Sequence, residues 1–198
     1  MAAGNFTPQS LSLIDKSICY WQKQGYVFVD LPWVIEERYT RATCPPGGKE
    51  VVTPYGNLVA SGEQSFLKLY TEKSLPLAPG YVGWTPCFRD EPFFDQLHQF
   101  YFLKAEVFVP LTDKAAGPQA LDELVARQTE LFRALCVEVS PPNAAIERQR
   151  INREQLDLCL GGIEIGSYGF RCFKELWYLY GTALALPRFT IALGLAHA

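Results

Sequence analysis

The 198-residue chain is 48% apolar and 14% aromatic, and its 18 Lys and Arg against 21 Asp and Glu leave a net charge of −3. That length and apolar share suit one globular domain with a sizeable core, and the weakly acidic balance argues against nonspecific nucleic-acid binding while leaving room for a local basic patch. No 18-residue apolar run is present to form a transmembrane helix.

The first ten residues, MAAGNFTPQS, lack the basic-then-apolar order of a secretory signal. The six cysteines are scattered with no C-x-x-C pair, several inside apolar runs, and read as free thiols of a reducing, cytoplasmic compartment. Thr7-Pro8 starts a helix, with Thr as cap and Pro in the first turn; Leu11, Ile14, Ile18 and Trp21 share one face, and Gly25 stops it. Tyr26–Pro32, YVFVDLP, predicts a short edge strand, because its closing Pro cannot donate to a ladder. Such an edge beside an amphipathic helix is either a dimerisation surface or a border covered by the chain's own loops. Glu36–Asn57 contains the turn-rich run CPPGGK and is read as a surface loop in preference to a cover over a pocket. Ser61-Gly62-Glu63-Gln64 then feeds a short helix through Phe66, Leu67, Leu69 and Tyr70; Glu63 and Gln64 are placed either to hold the amino group of a small ligand or to cap that helix.

The longest signal is Tyr81–Val109, where two aromatic and β-branched runs flank a polar loop and predict a long antiparallel hairpin. Its first run ends in Phe88-Arg89-Asp90-Glu91, and an Arg at a strand end presents a planar fork to a phosphate or carboxylate. Gly117-Pro118 opens a long helix with the stripe Leu121, Leu124, Val125, Leu131 and Leu135, ended by Ser140-Pro141-Pro142-Asn143. The polar stretch 143–155 carries no readable period. Leu156, Leu158 and Leu160 alternate as a strand, Gly161-Gly162 turns the chain, and Ile163 and Ile165 flank Glu164. Asp157 and Glu164 are placed either to converge on a divalent ion held with phosphates or to pair with Arg89 or Arg171. Phe173–Leu179 is helical or extended. Small residues at 181, 183 and 185 permit close approach of a ligand or of neighbouring strands, and Pro187-Arg188 begins a terminal helix whose positive end favours an anion beside Arg188.

Three of these stretches together resemble the catalytic core of a class II aminoacyl-tRNA synthetase. They are Gly25–Pro32, a helix exit and a strand ending in Pro; Phe88-Arg89-Asp90-Glu91 with Gln99-Phe100 and Glu106; and the small-residue strand Gly181–Leu186 with Arg188. The segment Leu156–Glu164, with Gly169 and Arg171 beyond, is most similar to the aspartate, asparagine and lysine subgroup.

The resemblance implies an α+β fold, a mostly antiparallel sheet flanked by helices and dimerised through the first motif; the length of the sequence leads us to expect a single core domain over residues 1–198 with no anticodon-binding domain visible. It implies ATP-dependent activation of an amino acid or related small carboxylate through an acyl-adenylate, with tRNA or a protein as a possible acceptor, or alternatively a noncatalytic dimeric accessory module. Arg89 would hold the α-phosphate and the activated carboxylate, and Arg188 the γ-phosphate. Glu91 would lie near the adenine and Phe100 would stack on it. Asp157 and Glu164 would hold magnesium, and Ser61, Glu63 and Gln64 would form part of the substrate pocket.

Overall fold

The computed structural model describes residues 6–139 and 145–195. Its frame is a seven-stranded sheet in the order β1-β5-β6-β10-β9-β8-β7, with β1 Val27–Phe28, β5 Tyr81–Phe88, β6 Tyr101–Leu111, β7 Ile146–Asn152, β8 Gln155–Leu160, β9 Ile163–Phe173 and β10 Leu176–Leu186. All pairings are antiparallel except β1 with β5, where Val27 lies against Tyr81 in parallel. The expected hairpin is β5–β6, paired from Tyr81 with Phe108 to Phe88 with Tyr101. The segment 173–179, left between helix and strand by its pattern, falls largely in β10.

Helices α1 Pro8–Lys23, α4 Gly117–Val139 and α5 Arg188–Leu195 cover one face of this sheet. At the start of α1 the Ser10 N–H donates to Thr7 Oγ1 at 3.1 Å, while Ser10 Oγ accepts from the Thr7 N–H at 2.9 Å, a reciprocal cap. The buried side of α1 is Leu13, Ile14, Ile18 and Trp21; Leu11, expected on it, is 44% exposed. Ser10 and Ser17 are buried as well, so the buried arc of α1 runs from Leu13 to Ile18, and Leu11 falls just past its edge. Gly25 has φ +88° just beyond the helix end, a conformation that glycine adopts without strain. The whole stripe predicted for α4 is buried, and Phe132 stacks on Phe189 of α5 at 5.2 Å. The expected stop at 140–143 lies outside the described residues.

The other face carries α3 Gly62–Thr71 and a second core built from Leu31, Ile35, Tyr39, Phe66, Phe108 and Tyr178. The segment read as a surface loop folds instead into α2 Glu37–Thr40 and a three-stranded sheet, β2 Val34–Ile35, β4 Gly56–Leu58 and β3 Val51–Thr53. The far edge of the main sheet, β7, is almost wholly exposed and carries Glu147, Arg148 and Arg150. No helix among the described residues is long and apolar enough to cross a membrane.

Candidate functional site

Alternation along the central strands builds the site. Ala105 and Val107 point into the helix-covered core, so Lys104, Glu106 and Phe108 point the other way. Beside Phe108 that second face is apolar; beyond it the face opens into a cavity of about 610 Å³. Arg89, Glu91, Glu164 and Arg188, from three separate parts of the chain, all line it, as do Ser61, Glu63 and Gln64. The fold therefore brings together seven of the nine residues singled out by sequence.

The two others stand apart. Phe100 does not line the cavity: it packs edge-on against Phe88 at 6.3 Å, and its carbonyl accepts the Arg89 N–H at 2.9 Å. Phe102, two residues on, lines the cavity and lies 5.0 Å beneath the Arg89 guanidinium. Asp157 shares the face of Gln155, which lines the cavity, but is not itself on the lining; its Oδ1 is buried without a partner. Glu164 follows on the adjoining strand, its Oε1 3.5 Å from Arg188 Nη1. No cluster of three or more metal-ligating side chains occurs among the described residues. Two carboxylates, one with an orphaned oxygen, are a donor set compatible with a magnesium ion that keeps waters and phosphate oxygens as its other ligands.

At one end of the cavity Arg188 also donates to the Leu97 carbonyl at 3.3 Å, in the β5–β6 loop. Gln99 of that loop lines the cavity with a buried Oε1 that has no partner. Arg89 is steadied by donation from Nε to the Ala60 carbonyl at 3.3 Å.

The other end holds two ion pairs whose carboxylates, Glu106 and Glu63, are buried. Lys104 Nζ lies 2.8 Å from Glu106 Oε1; this carboxylate also accepts from Ser61 Oγ at 2.6 Å and from the Gly62 N–H at the start of α3. Arg171 Nε lies 3.3 Å from Glu63 Oε1, which accepts the Tyr178 hydroxyl at 2.8 Å, and the Arg171 guanidinium rests 4.0 Å over the Tyr180 ring. Burial pushes the Glu63 carboxyl above its ordinary range, against the pull of Arg171. Gln64 is engaged at both ends of its amide: Oε1 accepts from Ala60 N–H at 2.8 Å, and Nε2 donates to the Thr40 carbonyl and to Thr43 Oγ1, both at 2.9 Å.

Those last bonds place the segment 42–49 as a wall of the cavity, with Ala42, Cys44, Pro46 and Lys49 on the lining. The preference for a free surface loop is corrected here, because the contact that holds the segment comes from α3, about twenty residues away in sequence. Sequence reasoning also passed over Lys104. Its signal was present: Lys104 and Glu106 are charges two apart in an otherwise apolar run, and so lie on one side of a strand.

This architecture, a mixed, mainly antiparallel sheet flanked by helices, is the class II aminoacyl-tRNA synthetase-like catalytic-core fold. The chain is similar to the seryl-tRNA synthetase of Pyrococcus horikoshii, solved with ATP, with a TM-score of 0.72 and 18% identity over 92% of this chain and 49% of that one. A pyrrolysyl-tRNA synthetase from Desulfitobacterium hafniense gives 0.66 and 17% over 91% and 67%. The cytoplasmic serine-tRNA ligase of Naegleria fowleri, solved with AMP, gives 0.65 and 18% over 92% and 47%. The chain thus spans about half the length of the seryl enzymes. No protein-family model matches the sequence, and no curated protein matches it. The likeness holds at the level of the class fold and does not single out the aspartate, asparagine and lysine subgroup expected from Leu156–Glu164.

Proposed function

We propose that the chain is a single class II synthetase-like core that activates a small carboxylic acid with ATP. The observation that carries this is the placement of Arg89 and Arg188 on one cavity, which two further half-buried cations, Lys104 and Arg171, also line, each paired with a buried carboxylate. The seryl relatives with ATP and AMP support a nucleotide in that space.

In this reading Arg188 takes the terminal phosphate and Arg89 the α-phosphate, each by charge-assisted hydrogen bonds. A carboxylate oxygen of the acid attacks the α-phosphorus, the bond from that phosphorus to the bridging oxygen breaks, and pyrophosphate leaves with its electron pair. The protein's part is positioning and stabilisation of spread negative charge. Glu91, on the same lining, would lie near the base, and Phe102, rather than Phe100, offers it an aromatic face beside Arg89. Asp157 and Glu164 would hold magnesium, which supplies neutralising charge to the phosphates. Ser61 holds Glu106, and with it Lys104, in place. The β1 edge is the surface for a second copy of the chain, and tRNA or a protein is the candidate acceptor of the acyl group.

A second reading, a noncatalytic accessory module, is favoured by Ala185 on the lining, where its methyl narrows the space available to a nucleotide. Magnesium-dependent ATP–pyrophosphate exchange over a panel of amino acids and other small carboxylic acids separates the two. Exchange with one acid that disappears in Arg89→Ala supports activation. ATP binding by folded protein without exchange for any acid supports the module.

A further inference from the structure

A second cavity, of about 450 Å³, shares no lining residue with the first. It opens where the end of α3 and the loop after it meet the start of β5 and the turn between β9 and β10. Its volume falls within roughly 300–1,000 Å³, the usual range of small-molecule sites. The walls are apolar: Tyr70, Leu75, Leu77, Tyr81, Phe173 and Leu176. Tyr70 and Tyr81 rest on Phe108, with ring centroids 6.0 and 6.5 Å away, so the second core holds them in place. The Tyr81 hydroxyl donates to the Pro76 carbonyl at 2.6 Å.

Charge at this groove is one-sided. Lys73 and Lys174 line it, against Glu175 alone. The neighbouring acid Glu72 is held by Lys68 at 2.8 Å and by Arg38 at 3.9 Å, and no ion pair engages Lys73 or Lys174 among the described residues. Lys174 Nζ lies 5.5 Å over the Phe173 ring, which keeps its charge at the groove. Both lysines have φ +56°, and they are the two non-glycine residues with positive φ among those described. Glycine or asparagine is the usual occupant of such a position. Glycine would hold either turn with less strain; lysine adds a charge at two lips of one apolar groove. The end of α3 does not oppose an anion there with open acceptors at Leu69 and Tyr70, whose carbonyls accept the Ser74 and Lys73 N–H groups at 2.9 and 3.0 Å. Strands reach the groove only by their ends, since Tyr81 opens β5, Phe173 closes β9 and Leu176 opens β10. No ladder runs along it for an extended peptide to join.

We propose that this groove is a second ligand site, which takes an amphiphilic anion: an apolar body of medium length seated on the tyrosines and leucines, its single carboxylate or phosphate head met by Lys73 and Lys174. The site is independent of the activation reading and needs no ATP.

The test is calorimetric titration of the full chain with octanoate, octyl phosphate, octanol, octylammonium and butyrate. Octanoate should bind about tenfold or more tightly than butyrate, because its longer chain buries more apolar area. Both eight-carbon anions should bind more tightly than octanol, and octylammonium more weakly; the tighter anion names the head group. The double variant Lys73→Gly with Lys174→Gly suits both left-handed turns and so keeps the fold. It should weaken octanoate about fivefold, the scale of exposed ion pairs, and leave octanol unchanged. Arg89→Ala, in the first cavity, should leave octanoate binding as it is. Octanol or octylammonium binding as tightly as octanoate, or no binding of any probe, overturns the proposal. So does octanoate binding that survives the double variant, or that is lost in Arg89→Ala, which would put the anion in the first cavity. Sedimentation of the unliganded samples covers the remaining occupant: self-association that changes in the double variant would give the groove to a second copy of the chain, and the ligand assignment would fall.

Discussion

The two faces of the seven-stranded sheet are made by alternate residues of the same strands, yet they are held together by different forces. Under α1, α4 and α5 the sheet face is mainly apolar, from Val82 and Val107 to Leu158 and Leu184, with buried Gln128 bonded to Trp21 and to the Ala183 carbonyl among its few polar groups. On the opposite face an aromatic cluster around Phe108 gives way within a few residues to Lys104, Glu106, Glu63 and Arg171. The helix-covered face is stabilised by burial, which is non-directional and proportional to area. The cavity face depends on a few charge-assisted bonds whose partners must all be present. Polar residues can therefore be arranged for a ligand on one side because stability is supplied from the other.

That division can be broken at several points. The largest effect should come from the apolar face: Phe132→Ala empties a fully buried site stacked on Phe189, at a cost of about 3–5 kcal/mol in urea unfolding. Glu106→Ala follows, at about 3 kcal/mol, because Lys104 and the Ser61 hydroxyl lose a buried partner together. A cost near zero there would mean that the polar cluster is irrelevant to the fold, and that the two faces differ only in function. Thr7→Ala should cost about 1 kcal/mol through the lost α1 cap, with nucleotide binding unchanged.

The last effect is a slope with pH rather than a step. Burial raises the Glu63 carboxyl above the ordinary 4.5, so its protonated form is favoured by folding. The stabilisation from that proton is complete below 4.5 and is lost as pH climbs through the raised value. Glu63→Gln keeps the shape without the titration, so its stability relative to the parent chain should rise as pH climbs above 4.5. A difference that stays flat would show that Arg171 offsets the burial in full.

What the sequence reveals, and what it hides, follows the range of each interaction. The β5–β6 hairpin, the α4 stripe and the alternation of β8 were legible because each is a local period that burial then satisfies. Arg89 and Arg188 were legible as arginines beside recognisable strand and helix boundaries. The wall at 42–49 was not, since Gln64 reaches it from another element and nothing local in CPPGGK distinguishes a wall from a free loop. Phe100 and Phe102 have the same composition and strand phase, and only the line at which the cavity ends decides between them. The exposed strand β7 was hidden because IERQRIN is polar on both sides and shows no two-residue period.

That charged strand has a consequence for how the molecule can grow. The main sheet ends in two unfinished borders, and a border with free backbone groups invites another chain to add to it. At β7 the alternation of Glu147, Arg148 and Arg150 sets like charges against any second copy laid alongside in register. At β1, by contrast, two residues with a partly exposed Phe28 form a short border that lacks such repulsion. A tile that accepts a neighbour on only one side cannot be laid into a row. In the proposed pairing through β1, two such tiles would complete a closed pair, and further addition would stop there.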